Sequence, residues 1–454
     1  MRVLLMMAPT NNPQHSVRSG RNYPIAPAQI AAQLKGHEVR GYDPDMDPDY
    51  PASFRRLLAE YNPELVGVSF RICDTTLSYE PISYVPDLHE ACRHVKDVVP
   101  DTILSIGGSG YCFFPEGLLK RIPEIDLGFY LDGDHSFPAF AANPARPEET
   151  AGIYYRTNGD IHYSGPQPQR SMDDSEIPDF DFVPVQPYIA EGFSAIGVES
   201  KRGCRLSCTA CVYPFLTGTK TLAKSPERIV QEVEELVRRG VPSFFFLDSV
   251  FNIPGRHALA VSEVLRDANL PIQWGAFFAA SKFDEDACRL TQEAGCRMYY
   301  FAQDGISERA LKVYRRPISV GTQRRAVELV RKYPGNHIHV SYLLGSNDEG
   351  PRDFWEFAKM LVFLARHRVF SVSMSFTRLY PNTEHYQDLV RRGIRPEGED
   401  LIDPAFHIPY PSSLARFIFH PFYRGVHLYF RVMKVIKEMR LPHRVKRAGA
   451  EARA

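Results

Sequence analysis

Short apolar runs alternate along the chain with stretches in which apolar positions recur every three or four residues, the patterns of buried strands and amphipathic helices. In the first third, strand-like segments at residues 3–7, 38–42, 65–70 and 102–106 are separated by helical patterns at 28–34, 53–61 and 88–98. Strands joined through helices make a parallel sheet covered on both faces, and such sheets bind ligands at the carboxyl ends of their strands. A second series of strands is expected at 195–198, 243–247, 272–278, 298–302, 338–344 and 372–376. The clearest helix between them, 226–239, has Ser225 at its N-cap, Pro226 first, Ile229, Val233, Leu236 and Val237 on one face, and Gly240 as its stop.

This pattern predicts an α/β protein. Residues 1–145 form a Rossmann-like domain, 146–190 a linker rich in Pro, Asp and Gln, 191–385 a partial (β/α)6 barrel of TIM type, and 386–454 a helical C-terminal extension. At 454 residues, 44% hydrophobic and 24% charged, the chain has core enough for two or three domains and no apolar run that would span a membrane. Its first nine residues are too short an apolar run for a leader and read as a buried strand.

The 54 Lys and Arg balance the 54 Asp and Glu, so no global charge drives the chain toward nucleic acid. Residues 413–454 differ, with ten basic against two acidic residues interleaved with Phe417, Phe419, Phe422, Tyr423, Tyr429 and Phe430. That stretch is expected to cap the barrel, with contact to a membrane surface as the alternative. Eight cysteines are too sparse for a disulfide scaffold, which suits a reducing cytoplasm.

Three of those cysteines crowd into Gly203-Cys204-Arg205-Leu206-Ser207-Cys208-Thr209-Ala210-Cys211, directly after the first strand of the second series. Three thiolates on a four-iron cluster leave one iron without a protein ligand, free to hold a substrate or cofactor. A structural zinc site would want four ligands, and no second CxxC or HxxxH pair stands nearby. Three unrelated core cysteines fit poorly with a loop that carries Arg205 and Ser207.

Arg202-Gly203-Cys204-xxx-Cys208-xx-Cys211 resembles the cluster motif of radical S-adenosylmethionine (SAM) enzymes. In that family the open iron chelates SAM, and reductive cleavage gives a 5′-deoxyadenosyl radical inside the barrel. The resemblance implies a 4Fe–4S cluster on Cys204, Cys208 and Cys211, and SAM contacts from Tyr213, Asp248, Gln303 and Leu344. The last three lie in Phe246-Leu247-Asp248-Ser249, Gln303-Asp304-Gly305 and Leu344-Gly345-Ser346; Leu379-Tyr380-Pro381-Asn382-Thr383 follows the sixth strand. Two positions depart from the family pattern: Ala210 stands where an aromatic is usual, and Gln303 where Glu is usual.

In the first domain, Tyr23-Pro24, Gly36-His37-Glu38-Val39, Gly67-Val68-Ser69, Ile106-Gly107-Gly108 and Asp132-Gly133-Asp134 recur in the order seen in cobalamin-binding domains fused to radical SAM barrels. The resemblance implies that Ser69, Gly107, Gly108 and Ser109 meet the nucleotide tail. The DxHxxG motif of many such domains is missing, and His15 with Gly20 has its spacing without the Asp, so His15 reads as a loop residue. Arg71, in Ser69-Phe70-Arg71-Ile72-Cys73-Asp74, is expected beneath the corrin as in one subgroup, with an Arg71–Asp74 pair as the alternative. A guanidinium cannot ligate cobalt and would keep it low-coordinate.

Taken together, the resemblance implies a cobalamin-dependent radical SAM C-methyltransferase acting on a small metabolite, supplied with electrons by a flavodoxin- or ferredoxin-type donor. One SAM would methylate reduced cobalamin, and a second would yield the radical that removes a substrate hydrogen. The rivals are polar methyl transfer to an aromatic ring carbon, an anaerobic cyclase or ring-rearranging enzyme, and a non-catalytic iron–sulfur protein.

Overall fold

The structure, a computed structural model, describes residues 1–11, 20–193, 195–346, 349–409 and, singly, 425 and 428. It divides into two compact units. Of the described residues, the first comprises those within Met1–Glu191, Tyr380–Asn382 and Pro396–Pro404, and the second those within Gly192–Leu379 and Thr383–Arg395 and from Ala405 onward.

The first unit is built on β1 (Arg2–Met7), β2 (Glu38–Tyr42), β3 (Leu65–Ser69), β4 (Ile103–Gly107), β5 (Leu127–Phe129), β6 (Ile153–Thr157) and β7 (Asp160–Tyr163), in the order β2-β1-β3-β4-β5-β6-β7. The first five of these in sheet order are parallel, and β6 and β7 are antiparallel. Val3, Leu5, Leu65, Leu127 and Phe129 pack against Phe137 and Phe140 in one core cluster, as strands with no polar face require. Met7, Ser69 and Gly107 share a register row, so the carboxyl ends of β1, β3 and β4 align.

The segment 146–190, expected as a linker, is instead part of this unit. Asn158 (φ 54°) and Gly159 (φ 89°) form a left-handed turn that folds β6 and β7 into a hairpin, with Tyr154 stacked on Tyr163 at 4.7 Å and Ile153 in the core. Farther along, the carbonyl of Phe182 lies where a Cβ on Gly41 would come within 2.5 Å, so the segment packs onto β2.

The second unit has β8 (Gly197–Val198), a ribbon of β9 (Lys201–Arg202) and β10 (Leu222–Ala223), then β11 (Ser243–Phe246), β12 (Gln273–Phe278), β13 (Cys296–Ala302), β14 (His337–Leu344), β15 (Ser371–Arg378) and β16 (Phe406–His407). The main sheet runs β16-β15-β14-β13-β12-β11-β8, with six parallel strands in sequence order where the apolar runs placed them and β16 antiparallel at one edge. It stays open between β8 and β16, so among the described residues no closed barrel forms.

One face of this sheet is sealed by aromatic packing: Trp274 meets Phe246 and Phe251 at 5.2 and 5.0 Å, and its indole N–H donates to the Ala294 carbonyl at 2.7 Å. On the other face Phe277, Tyr300, His339 and Ser371 form one register row of half-buried side chains.

The expected helical extension 386–454 is only partly helical where described. A helix spans Glu384–Arg391, Pro396–Pro404 belongs to the first unit, and β16 extends the second sheet. The basic-aromatic stretch lies outside the described residues apart from 425 and 428. Among the described residues no helix is long and apolar enough to cross a membrane.

Candidate functional site

The cysteine loop leaves the sheet after β8, and the β9–β10 ribbon pairs Arg202 with Leu222 to pinch its base. At its entry Gly203 (φ 88°) is required: a Cβ there would lie 2.0 Å from the Lys220 carbonyl oxygen. Cys204 N–H donates to the Gly218 carbonyl at 3.1 Å, and Thr209 N–H to that of Tyr314 at 3.1 Å. The Thr209 hydroxyl reaches the Val313 carbonyl at 3.2 Å, and the Thr209 carbonyl accepts from His385 N–H at 2.9 Å. The loop is therefore docked onto the segment that follows β13 and onto the start of the helix Glu384–Arg391.

Within this loop the thiols feel one another. Burial pushes the Cys211 thiol up to about 12, the Tyr213 N–H on its sulfur opposes that, and the negative charges of Cys208 and Cys204 add to it. Burial likewise raises Cys208, against the pull of Arg316, whose guanidinium donates to Cys208 Sγ at 3.2 Å. Among the described residues no three His, Cys, Asp or Glu side chains converge as ligands of a single metal ion would. Three thiols in one short loop suit a four-iron cluster, in which each sulfur caps a different iron.

Asp248 occupies a different role from the expected SAM contact. Its carboxylate accepts from Ser200 N–H (2.9 Å), Ser200 Oγ (2.5 Å), Lys201 N–H (3.2 Å) and Lys201 Nζ (2.7 Å). Both ionic side chains are buried, at 1% and 0% exposure, and Lys201 Nζ also donates to the Val250 carbonyl at 2.6 Å. With its lone pairs committed, Asp248 ties β11 to the strand leading into the cysteine loop.

Gln303 is placed differently from Asp248. Its side chain is 1% exposed and its Oε1 has no partner, and the same holds for Ser346 Oγ just beyond the neighbouring β14. Buried polar atoms without partners cost free energy unless a ligand completes them. At the ends of adjacent parallel strands, beside the docked loop, they fit a polar ligand such as SAM. The Leu344 carbonyl is engaged by the Thr377 hydroxyl at 3.1 Å and its side chain is buried. Tyr213 is 37% exposed, and its backbone rather than its ring serves Cys211.

In the first unit the glycine turn does something other than expected. Gly108 (φ 95°) and Gly110 admit the neighbouring chain: a Cβ on either would lie 2.7 or 2.8 Å from the Phe70 carbonyl oxygen. Phe70 N–H donates to Gly107 O, Gly110 N–H to Phe70 O, Ser109 Oγ to Arg71 O at 2.6 Å, and Cys73 Sγ to Gly110 O at 3.1 Å. Gly108 and Ser109 thus lock the loop that carries the exposed Arg71. Gly107 has room for a Cβ, which would meet Phe129 at an ordinary contact distance of 3.7 Å, beside the half-buried Ser69. His15 lies outside the described residues.

Known proteins share this segment and this fold. The profile of the Radical SAM superfamily matches residues 198–361, which include all three clustered cysteines. Residues 198–361 thus match a radical SAM domain. An uncharacterized methyltransferase, PH0819, of Pyrococcus horikoshii is 25% identical over 77% of this chain and 75% of that protein. The cytidylyl-2-hydroxyethylphosphonate methyltransferase of Streptomyces wedmorensis is 22% identical over 71% of this chain and 69% of its own. Among solved structures, the radical SAM methyltransferase TsrM from Kitasatospora setae, described with cobalamin and a [4Fe–4S] cluster bound, has the same fold (TM-score 0.73, 21% identity, 86% of this chain, 75% of that one).

Sequence reading missed two features of this radical SAM site. One is Arg316 on Cys208; its only trace is the doublet Arg315-Arg316, which nothing distinguishes from a solvated pair. The other is the half-buried row on the second sheet. Tyr300 lies 5.4 Å from Phe277 and 4.6 Å from His339, whose Nδ1 and Nε2 meet Ser371 Oγ at 2.6 Å and Ser373 Oγ at 3.0 Å. Strand alternation would place these residues on one face, but parity alone does not say which face is left half-open.

Proposed function

We propose that this radical SAM enzyme is a cobalamin-dependent C-methyltransferase that moves a methyl group from SAM to a carbon of a small metabolite. The observation that carries the reading is the Cys204–Cys208–Cys211 loop, docked at the strand ends beside the unpartnered Gln303 Oε1 and Ser346 Oγ. With its groups bound, such a centre supplies reductive cleavage of SAM and a cobalt-borne methyl group.

The chain's own residues divide the remaining work. Cys204, Cys208 and Cys211 hold the cluster, while Gln303 and Ser346 complete their hydrogen bonding on SAM. Lys201 and Asp248 fix the strand that presents the loop. The side-chain-free edge at Gly107, with Ser69 in the same register row, fits a cobalamin tail approaching the ends of β3 and β4. Residues 1–145 are then the core of the cobalamin-binding part and 191–385 that of the radical SAM part, with electrons from a flavodoxin- or ferredoxin-type donor in a reducing cytoplasm.

The half-open face bounds the substrate. Phe245, Phe277 and Tyr300 pack edge to face at 5.1–5.4 Å and offer an apolar wall, and His339 with Ser371 and Ser373 offers polar atoms beside it. This suits a metabolite with an apolar or aromatic body and a hydrogen-bonding edge. The same wall favours a second reading, polar methyl transfer to an aromatic ring carbon; TsrM, of the same fold, is described with tryptophan as substrate.

The test is anaerobic reconstitution with iron, sulfide and cobalamin, followed by mass spectrometry with SAM bearing a deuterated methyl group. Formation of 5′-deoxyadenosine, S-adenosylhomocysteine and a deuteromethylated product supports the radical reading. A deuteromethylated product with S-adenosylhomocysteine but no deoxyadenosine selects polar transfer. Deoxyadenosine without methyl transfer selects a cyclase, and an intact cluster that cleaves no SAM in the presence of substrate overturns the enzyme.

A further inference from the structure

Arg316 is an arginine buried against a cysteine sulfur, with an acidic partner. Its side chain is 8% exposed, one terminal nitrogen donates to Cys208 Sγ at 3.2 Å and lies 3.3 Å from Asp304 Oδ2, and the other donates to the Ala302 carbonyl. Its Nε is buried with no partner. A guanidinium keeps its proton in proteins, so Asp304 and Cys208 face a full positive charge. The arginine therefore reaches from the end of β13 to the middle cysteine of the loop.

We propose that Arg316 is a positioning residue that sets the reduction potential of the cluster, with Asp304 as its counterweight. The inference rests on the cluster reading given above. Adding one electron to a thiolate-bound cluster places more negative charge on its sulfurs, and a hydrogen-bond donor on a ligand sulfur favours that reduced state. Here the donor is also a full positive charge in a site where solvent screens little. Asp304 opposes it at salt-bridge distance from the same terminal nitrogen. Removing either member therefore moves the potential, and the two removals move it in opposite directions. A purely mechanical latch between β13 and the loop would show no such sign.

The experiment is EPR-monitored potentiometric titration of the reconstituted full chain, with iron content and thermal unfolding recorded for each variant. Arg316→Gln is expected to lower the reduced fraction at a fixed potential about tenfold, a shift of 59 mV for one electron. Arg316→Lys, which keeps the charge without the planar fork, shifts it less in the same direction. Asp304→Asn shifts the potential upward. Should Arg316→Gln fail to hold a cluster, the opposite shifts of Arg316→Lys and Asp304→Asn carry the test. Unchanged potentials, or shifts of one sign in both members, overturn the proposal while the cluster reading stands. A wild-type chain that takes up no four-iron cluster overturns both.

Discussion

The two sheets finish their strands in different ways. At the carboxyl ends of β3 and β4 the chain is drawn together by backbone, with Gly108 and Gly110 admitting the Phe70 carbonyl and Ser109 capping that of Arg71. At the ends of β8 and β13 the joining is done by charge: Lys201 on Asp248 and Arg316 on Asp304, all on or beside the cysteine loop. A backbone junction shapes an edge without fixing a field, which suits a large ligand laid along it. A charged junction fixes a field, which suits a centre whose electron count changes.

The largest expected break of this contrast is Asp248→Ala. It leaves Lys201 charged and buried and costs about 3–5 kcal/mol, measured by denaturant unfolding of the second unit. The pH responses of the two units should run in opposite directions. Burial lowers His385 and His407 to about 4, so their contribution to the second unit is complete above the ordinary histidine value and is lost as the pH falls from about 6.5 toward 4. Burial raises Asp43 to about 6 despite the Tyr188 hydroxyl on it at 2.5 Å, so its contribution to the first unit is complete below the ordinary Asp value and is lost as the pH rises from about 4 through 6. Each histidine shift corresponds to about 3 kcal/mol, and hydrogen exchange read unit by unit across this range checks both signs.

Smaller effects separate the two glycines. Gly108→Ala puts a side chain at φ 95° against the Phe70 carbonyl and should destabilise the first unit by about 1–3 kcal/mol. Gly107→Ala meets no protein atom nearer than 3.7 Å and should change stability by less than about 0.5 kcal/mol. A fall in cobalamin affinity in Gly107→Ala, measured by equilibrium dialysis, would then report ligand approach alone. Unaltered affinity would move the cobalamin edge away from Gly107.

These contrasts also mark what the sequence could disclose. The six parallel strands of the second unit were legible because each is an apolar run or, as in β14 and β15, buries every second residue, and the cysteine loop because its spacing is local. The hairpin of β6 and β7 carries its signal in Asn158-Gly159 between alternating residues, and it was hidden by the Pro-rich text around it. Asp248 looked like a ligand contact because its partners, Ser200 and Lys201, lie far off in sequence and only the fold brings them to it. Gly108 was read as permitting a close approach, which it does, but the approaching group is Phe70. Arg316 was invisible for the same reason as Asp248: its meaning resides in a sulfur 108 residues away.

The first unit is also interrupted in the order of synthesis. Tyr380 packs on Phe113 at 4.4 Å, and Arg121 grips Asp400 at 2.7 Å and Asp403 at 3.1 Å, so this unit cannot be finished until the ribosome has passed residue 404. A nascent chain that has emerged only to Glu191 presents Phe113, Phe114 and the seat of Ile402 at Gly117 to water, an apolar patch awaiting its cover. The unit cannot be excised and exchanged between proteins as a self-sufficient cassette, because its last pieces are encoded beyond the whole parallel sheet of the other.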